Sequence, residues 1–129
     1  MKLVKDVMVR DVMTISPLAS IREALSQMKQ HSVKSLVVEK TSEHDAWGLI
    51  TYTNVLKTVI AEDGDIGLLN VYDACAKPVI SVGENLNVRH AASLMSKYRV
   101  KRLLVLADND LKGFVVMDDI MAALLDSID

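Results

Sequence analysis

Few side chains in this 129-residue chain combine a reactive type with a suggestive spacing. Two end a short motif: Asn54 stands three residues after Thr51, and Asp119 three residues after Val116. An ionised aspartate only accepts hydrogen bonds and can take two donors at once, whereas an asparagine amide offers one acceptor oxygen and one donor nitrogen. A second group is basic, Lys34-Ser35 and Lys101-Arg102. Arg102 has the planar fork that grips an oxyanion with two hydrogen bonds, while a lysine acts as a point charge. The residues of a catalyst are scattered. His31, His44 and His90 lack ligand spacing and Cys75 has no partner, so no metal centre, cysteine–histidine pair or intrachain disulfide is expected. Asp118 and Asp119 are neighbours on a helix and do not face each other, which argues against paired acid–base work. Gly64-Asp65-Ile66-Gly67 lacks the lysine ending and the preceding strand of a phosphate-cradling loop. The expectation is a binding or interaction protein with no enzymatic activity and no catalytic cofactor.

These residues come in pairs because the chain repeats itself. A shift of 67 positions lays Asp6-Val7-Met8 on Asp73-Ala74-Cys75, Thr14-Ile15 on Ser81-Val82, and Val33-Lys34-Ser35-Leu36 on Val100-Lys101-Arg102-Leu103. Past a two-residue gap, Gly48 to Val55 falls on Gly113 to Ile120. Each half opens on an amphipathic piece (Leu3 to Met8; Val71 to Cys75) and an extended segment ending near Ile15 or Val82. A helix follows. Ser20 with Glu23 makes a capping box ahead of Ile21, Ala24, Leu25 and Met28, and Asn87 caps the run Val88, Ala91, Ala92, Leu94 and Met95. Two short strands come next, Ser35 to Val38 and Trp47 to Ile50, then Leu103 to Leu106 and Phe114 to Val116. The turns are Thr41 to Asp45 and Asp108 to Asp110. A last helix closes each half, from Thr53 to about Ala61 and from Asp118 to about Leu125. The order is β-α-β-β-α twice, an α+β class, with repeats over residues 1–62 and 71–129 and a linker over 63–70. A single unit of this size is marginal alone, so the two are expected to pack on each other.

Composition narrows the partners. Half of the residues are hydrophobic and the net charge is −2, with acids and bases interspersed. No basic stripe and few aromatic residues argue against nucleic acid as the main partner. The first thirteen residues carry five charges and do not read as a signal peptide, and no apolar run approaches a membrane span, so a cytoplasmic protein without a membrane partner is expected. The methionines, Met28 and Met95 among them, read as core and interface filler.

The doubled series resembles the tandem CBS domain pair, or Bateman module. It rests on Thr14-Ile15-Ser16-Pro17 before a capped helix, on Val-Lys-Ser-Leu and Val-Lys-Arg-Leu at a strand opening, and on the Gly-h-h-(Ser/Thr)-x-x-Asp-h ending (h, apolar) at Gly48 to Val55 and Gly113 to Ile120. The resemblance implies two CBS repeats packed with pseudo-two-fold symmetry, two related clefts, and a regulatory module binding AMP, ADP or ATP, with or without Mg²⁺. It also implies a homodimer and a separate target protein. In the family the terminal aspartate takes the two hydroxyls of a ribose, with the Ser or Thr three residues earlier as a second partner. Here each repeat keeps half of that pair: Thr51 with Asn54, and Val116 with Asp119. Asp119 therefore ranks first. The resemblance joins it with Thr14, Ser16 and Ala19 at the adenine edge, Val37 and Val115 against the base, and Lys34, Ser35 and Arg102 near the phosphates. A second, weaker cleft takes Thr51, Asn54, Ser81, Val82 and Lys101. Simpler readings stand beside these. Asp119 complements a helix dipole, the threonines satisfy local backbone, and the basic residues edge a sheet. The alternative function is a ligand-free interaction or oligomerisation module built on Met117, Met121 and Leu124-Leu125.

Overall fold

The computed structural model describes residues 2–126 and 128. In chain order its elements are α1 (Val4–Val7), β1 (Thr14–Ile15), α2 (Ile21–His31), β2 (Ser35–Val38), β3 (Gly48–Thr51), α3 (Tyr52–Val55) with a π-helical continuation (Leu56–Ala61), α4 (Val71–Ala74), β4 (Ser81–Val82), α5 (Val88–Tyr98), β5 (Arg102–Ala107), β6 (Asp110–Val116) and α6 (Met117–Leu125). The mixed α+β class and the doubled order follow the sequence.

The two long helices form where apolar residues recur behind a capping side chain. The Ser20 hydroxyl accepts the Glu23 N–H at 3.1 Å, and α2 buries Ile21, Ala24 and Met28. The Asn87 side chain accepts the Arg89 N–H at 2.8 Å, and α5 buries Val88, Ala91 and Met95. Both helices stop alike, at a residue in the left-handed region: Ser32 with φ 55° and Arg99 with φ 56°. Each helix crosses between two parallel strands, the connection such strands require. In one three-stranded sheet β1 runs parallel to β2 with Thr14 opposite Val37, and β2 runs antiparallel to β3 with Ser35 opposite Thr51. In the other, Ser81 of β4 lies opposite Leu104 of β5, and Arg102 of β5 lies opposite Val116 of β6.

Some boundaries moved. β6 starts four residues earlier than expected because Asp108 and Asn109, at φ 53° and 65°, make a tight two-residue reversal that lets Asp110 pair with Ala107. The second helix of the first repeat is α-helical for one turn only and then widens to a π-helix, with the Gly64 N–H reaching the Val59 carbonyl at 2.8 Å. The 63–70 segment lies against the first repeat: Ile66 and Leu69 pack on its core, and their carbonyls accept the Arg22 and Ile21 N–H groups at the start of α2.

The chain divides into two compact units, and these do not follow the repeats. One is Met13–Val79; the other joins the described residues of Met1–Val12 to those of Ile80–Asp129. In the first unit the core of Ile21, Met28, Leu36 and Ile50 also holds Val71 and Ala74 of α4, with Val71 at 0 % exposure. In the second unit the core of Met95, Leu103, Val115 and Ile120 holds Val4 of α1, also at 0 %. The opening helix of each sequence repeat thus completes the core built on the other repeat's sheet. Backbone bridges repeat the exchange: Ser20 with Asn70 and Leu49 with Ala76 in the first unit, Asn87 with Leu3 and Phe114 with Val9 in the second. Two equivalent glycines permit it. A Cβ on Gly48 would stand 3.0 Å from the Ala76 carbonyl oxygen, and one on Gly113 would collide with the Val9 carbonyl.

Candidate functional site

In the second unit the Met117 N–H donates to the Lys101 carbonyl at 2.9 Å, which ties the start of α6 to the opening of β5. That tie gathers Lys101, Arg102, Asp118 and Asp119 about one end of the sheet. Arg102 is half-buried, its guanidinium 5.9 Å from the centre of the Phe114 ring. Burial draws its pKa down, and the negative charge of Asp118 opposes that shift.

Asp119 differs from its counterparts. It is the third residue of α6, a place where a side chain can fold back on the N–H of the capping residue. In three other helices that happens: Asp6 takes the Leu3 N–H at 2.9 Å, Asp73 takes the Asn70 N–H at 2.9 Å, and Asn54 takes the Thr51 N–H at 3.0 Å. The carboxylate of Asp119 accepts no hydrogen bond among the described residues, and Val116 supplies no capping side chain. Asp119 is partly exposed. Asn54 is doubly engaged. Its Oδ1 also accepts the Thr51 hydroxyl at 3.0 Å, while that hydroxyl accepts the Asn54 N–H at 3.1 Å. Val115, at 0 % exposure, faces the core of its unit; Phe114 and Val116 occupy the other side of the strand. Ser81 is exposed and Val82 buried.

In the first unit the Thr14 hydroxyl donates to the Glu39 carboxylate at 3.1 Å, and the Ser16 hydroxyl accepts the Leu18 N–H at 3.1 Å. Ala19 is held through its backbone, accepting the Val71 N–H at 2.8 Å. Lys34 is exposed, its carbonyl taking the Tyr52 N–H at 3.1 Å; Ser35 is partly exposed and Val37 buried. Away from these residues, Asp45 accepts the Lys77 ammonium at 2.6 Å and both the N–H and hydroxyl of Thr41 at 2.8 Å. These donors, Lys77 foremost, hold its carboxyl well below the usual carboxylate range. They pin a turn, which is a structural task. Burial raises the Cys75 thiol, with Lys77 opposing.

An open depression of about 530 Å³ lies in the second unit at the far end of β5, lined by Gly83 to Leu86 and Leu106 to Asp108. None of the residues singled out from the sequence lines it. Among the described residues no group of three or more His, Cys, Asp or Glu could hold a metal ion, and no helix is long and apolar enough to cross a membrane.

The family model of the CBS domain matches the chain twice, over residues 4–61 and 71–126. The chain belongs to the CBS domain family. Among its relatives is CBS domain-containing protein YhcV of Bacillus subtilis, 31% identical over 120 residues, 93% of this chain and 84% of that one. The hexameric CBS-CP12 protein from bloom-forming cyanobacteria matches all of this chain and 76% of its own, with TM-score 0.91 and 27% identity. The CBS domain pair of protein MJ0100, solved with 5′-methylthioadenosine and S-adenosyl-L-methionine, matches 97% of both chains with TM-score 0.82 and 27% identity. Sequence reading anticipated the family. It missed the roles of Gly48 and Gly113 and the division of the chain into units. Their signals were present: a glycine at the same motif position in both halves, and an apolar opening helix too short to fold alone.

Proposed function

We propose that this CBS pair is a regulatory module, without catalysis of its own, that binds an adenosine compound and signals to a separate partner protein. AMP, ADP and ATP, with or without Mg²⁺, are the first candidates. The observation that carries the reading is the carboxylate of Asp119, an acceptor-only group that has no donor among the described residues while its three counterparts are satisfied. A ribose diol brings the two donors it lacks. Arg102 is the cation for a phosphate, already oriented over Phe114. Thr14, Ser16, Ala19, Lys34, Ser35 and Val37 remain the candidates in the first unit. The second set, with Thr51 and Asn54 tied to each other, is the weaker. The adenosine ligands of the MJ0100 pair support the ligand class. A bound ligand regulates only through different affinities for two arrangements of the protein.

A second reading, an interaction module, draws on one observation. Met117, Met121 and Leu125 are exposed at four-residue spacing along α6, and Tyr52, Leu56 and Ile60 repeat that stripe in the first repeat. Self-association through such faces fits a homodimer. A thermal-shift screen with AMP, ADP, ATP and S-adenosylmethionine, with and without Mg²⁺, separates the readings. A ligand at about 100 times its Kd stabilises by ~2.7 kcal/mol. We expect a rise of several degrees with at least one compound. No rise with any of them at millimolar concentration overturns the sensor reading in favour of the interaction module.

A further inference from the structure

The two exchanged segments dock alike, residues 2–12 on the second unit and 69–79 on the first. Their backbone bonds match at equivalent places in the repeat. The Val4 N–H reaches the Leu86 carbonyl as the Val71 N–H reaches that of Ala19, both at 2.8 Å, and the Lys5 N–H reaches Glu84 as the Tyr72 N–H reaches Pro17. Val9 and Phe114 exchange two bonds, as do Ala76 and Leu49. The side-chain tethers do not match. Lys77 and Arg10 stand at the same place in the repeat, each one residue beyond the exchanged bonds. Lys77 donates to Asp45 at 2.6 Å, with the two side chains 23 and 24 % exposed, and Thr41 and Ala46 hold the same carboxylate. Arg10 meets Glu84 at 3.1 Å with 58 % of its side chain exposed. A charge-assisted bond sheltered from water holds well, whereas an exposed pair holds little. Asn70 is a second tether in the first unit. Its side-chain amide donates to the Leu18 carbonyl at 2.8 Å, and the second unit has Leu3 in that place. The other ion pair on residues 2–12, Lys2 with Asp126, is 3.8 Å long and exposed at both ends.

We propose that residues 2–12 form a strap that opens from the second unit well before that unit unfolds, while the Asp45–Lys77 and Asn70–Leu18 tethers keep its counterpart over 69–79 closed. Opening withdraws Val4 from the core and frees the edge of β6 at Phe114, whose ring lies beside the Arg102 guanidinium. The second unit thereby carries an element with two states. A ligand or partner of any chemistry that prefers one of them shifts the balance, which is what regulation requires. Local opening of this kind is set by how few bonds must break, and here the weakly tethered segment needs fewer than its counterpart.

The test is amide hydrogen exchange of the full chain, followed by NMR without any ligand, for the unmodified protein and for the double variant Asn70→Leu with Lys77→Met. In the unmodified protein the Val4, Lys5, Val9 and Phe114 amides are expected to be about tenfold less protected than those of Val71, Tyr72, Ala76 and Leu49. They are also expected to exchange faster than Leu104, whose N–H bonds the Ile80 carbonyl inside the second unit. The double variant removes both unmatched tethers. It should lower the protection of Val71, Tyr72, Ala76 and Leu49 until the two sets agree within about threefold. Val37, bonded to the Met13 carbonyl inside the first unit, should keep its protection, which separates local opening from unfolding of that unit. Equal protection of the two sets in the unmodified protein overturns the proposal. So do strap amides that exchange only together with Leu104, and so does a gap that survives the double variant.

Discussion

Asn54 and Asp119 occupy one place in the repeat and end in different states. The difference was legible in part. The sequence shows an amide in one copy and an acid in the other, and a hydroxyl beside the amide only. That the hydroxyl would close on the amide was not legible, because a capping box is one of several bonds open to Thr51. Val115 shows another limit. The apolar ending of β6 announces a strand, but which of its residues face the core depends on a register that one residue of slip would reverse. Glycine gives the sharpest test at this scale. Both contacts are with backbone carbonyls, which cannot rotate away, but a Cβ on Gly113 would overlap the Val9 carbonyl outright, whereas one on Gly48 asks the Ala76 carbonyl to give by only a few tenths of an ångström. We expect Gly113→Ala to cost about 2 kcal/mol or more, in line with overpacking, and Gly48→Ala distinctly less. Denaturant melts of both variants check this; equal losses would contradict the close approach of Val9 to Phe114.

At the scale of elements, the helices were the most legible parts. Apolar spacing and caps set α2 and α5 closely, since side chain and backbone agree there. The hairpin was less so: Asp108 and Asn109 enter the left-handed region without a glycine, and asparagine and aspartate tolerate that geometry without announcing it. The π-helical end of the first repeat left no sequence signal that we recognise. The closing helices make a prediction of their own. α3 begins with the Thr51 box, while α6 begins at Val116 with no capping side chain. Val116→Thr should supply the missing oxygen to the Asp119 N–H and stabilise the protein by about 1 kcal/mol, seen as a few degrees in Tm. A Tm that stays level or falls would show that α6 is not limited by its cap. The same variant brings a hydroxyl donor within reach of the Asp119 carboxylate, as Thr51 does for Asn54.

For the whole molecule, duplication was visible as a shift of 67 positions, and it gave the class and the family. Duplication did not reveal which body each opening segment would join. Local patterning marks an amphipathic piece from Leu3 and another from Val71; which core removes their apolar residues from water is a long-range choice decided by total burial. The result is that residues far apart in sequence depend on each other. Lys2 to Val12 helps complete the unit that carries Asp119, and the segment after Asn70 helps complete the one that carries Thr14. The central claim is that the two copies of the motif have diverged, leaving Asp119 as the ligand's acceptor and Asn54 as a helix cap. Titration calorimetry with the adenosine compound that stabilises the protein most, on the unmodified chain, Asp119→Ala and Asn54→Ala, tests it most directly. A hydrogen bond to a charged group accounts for roughly tenfold or more in affinity, so Asp119→Ala should weaken binding by at least that, while Asn54→Ala should lower Tm and leave the affinity within about twofold. Equal losses in the two variants, or an Asp119→Ala protein that binds as well as the original, would contradict it.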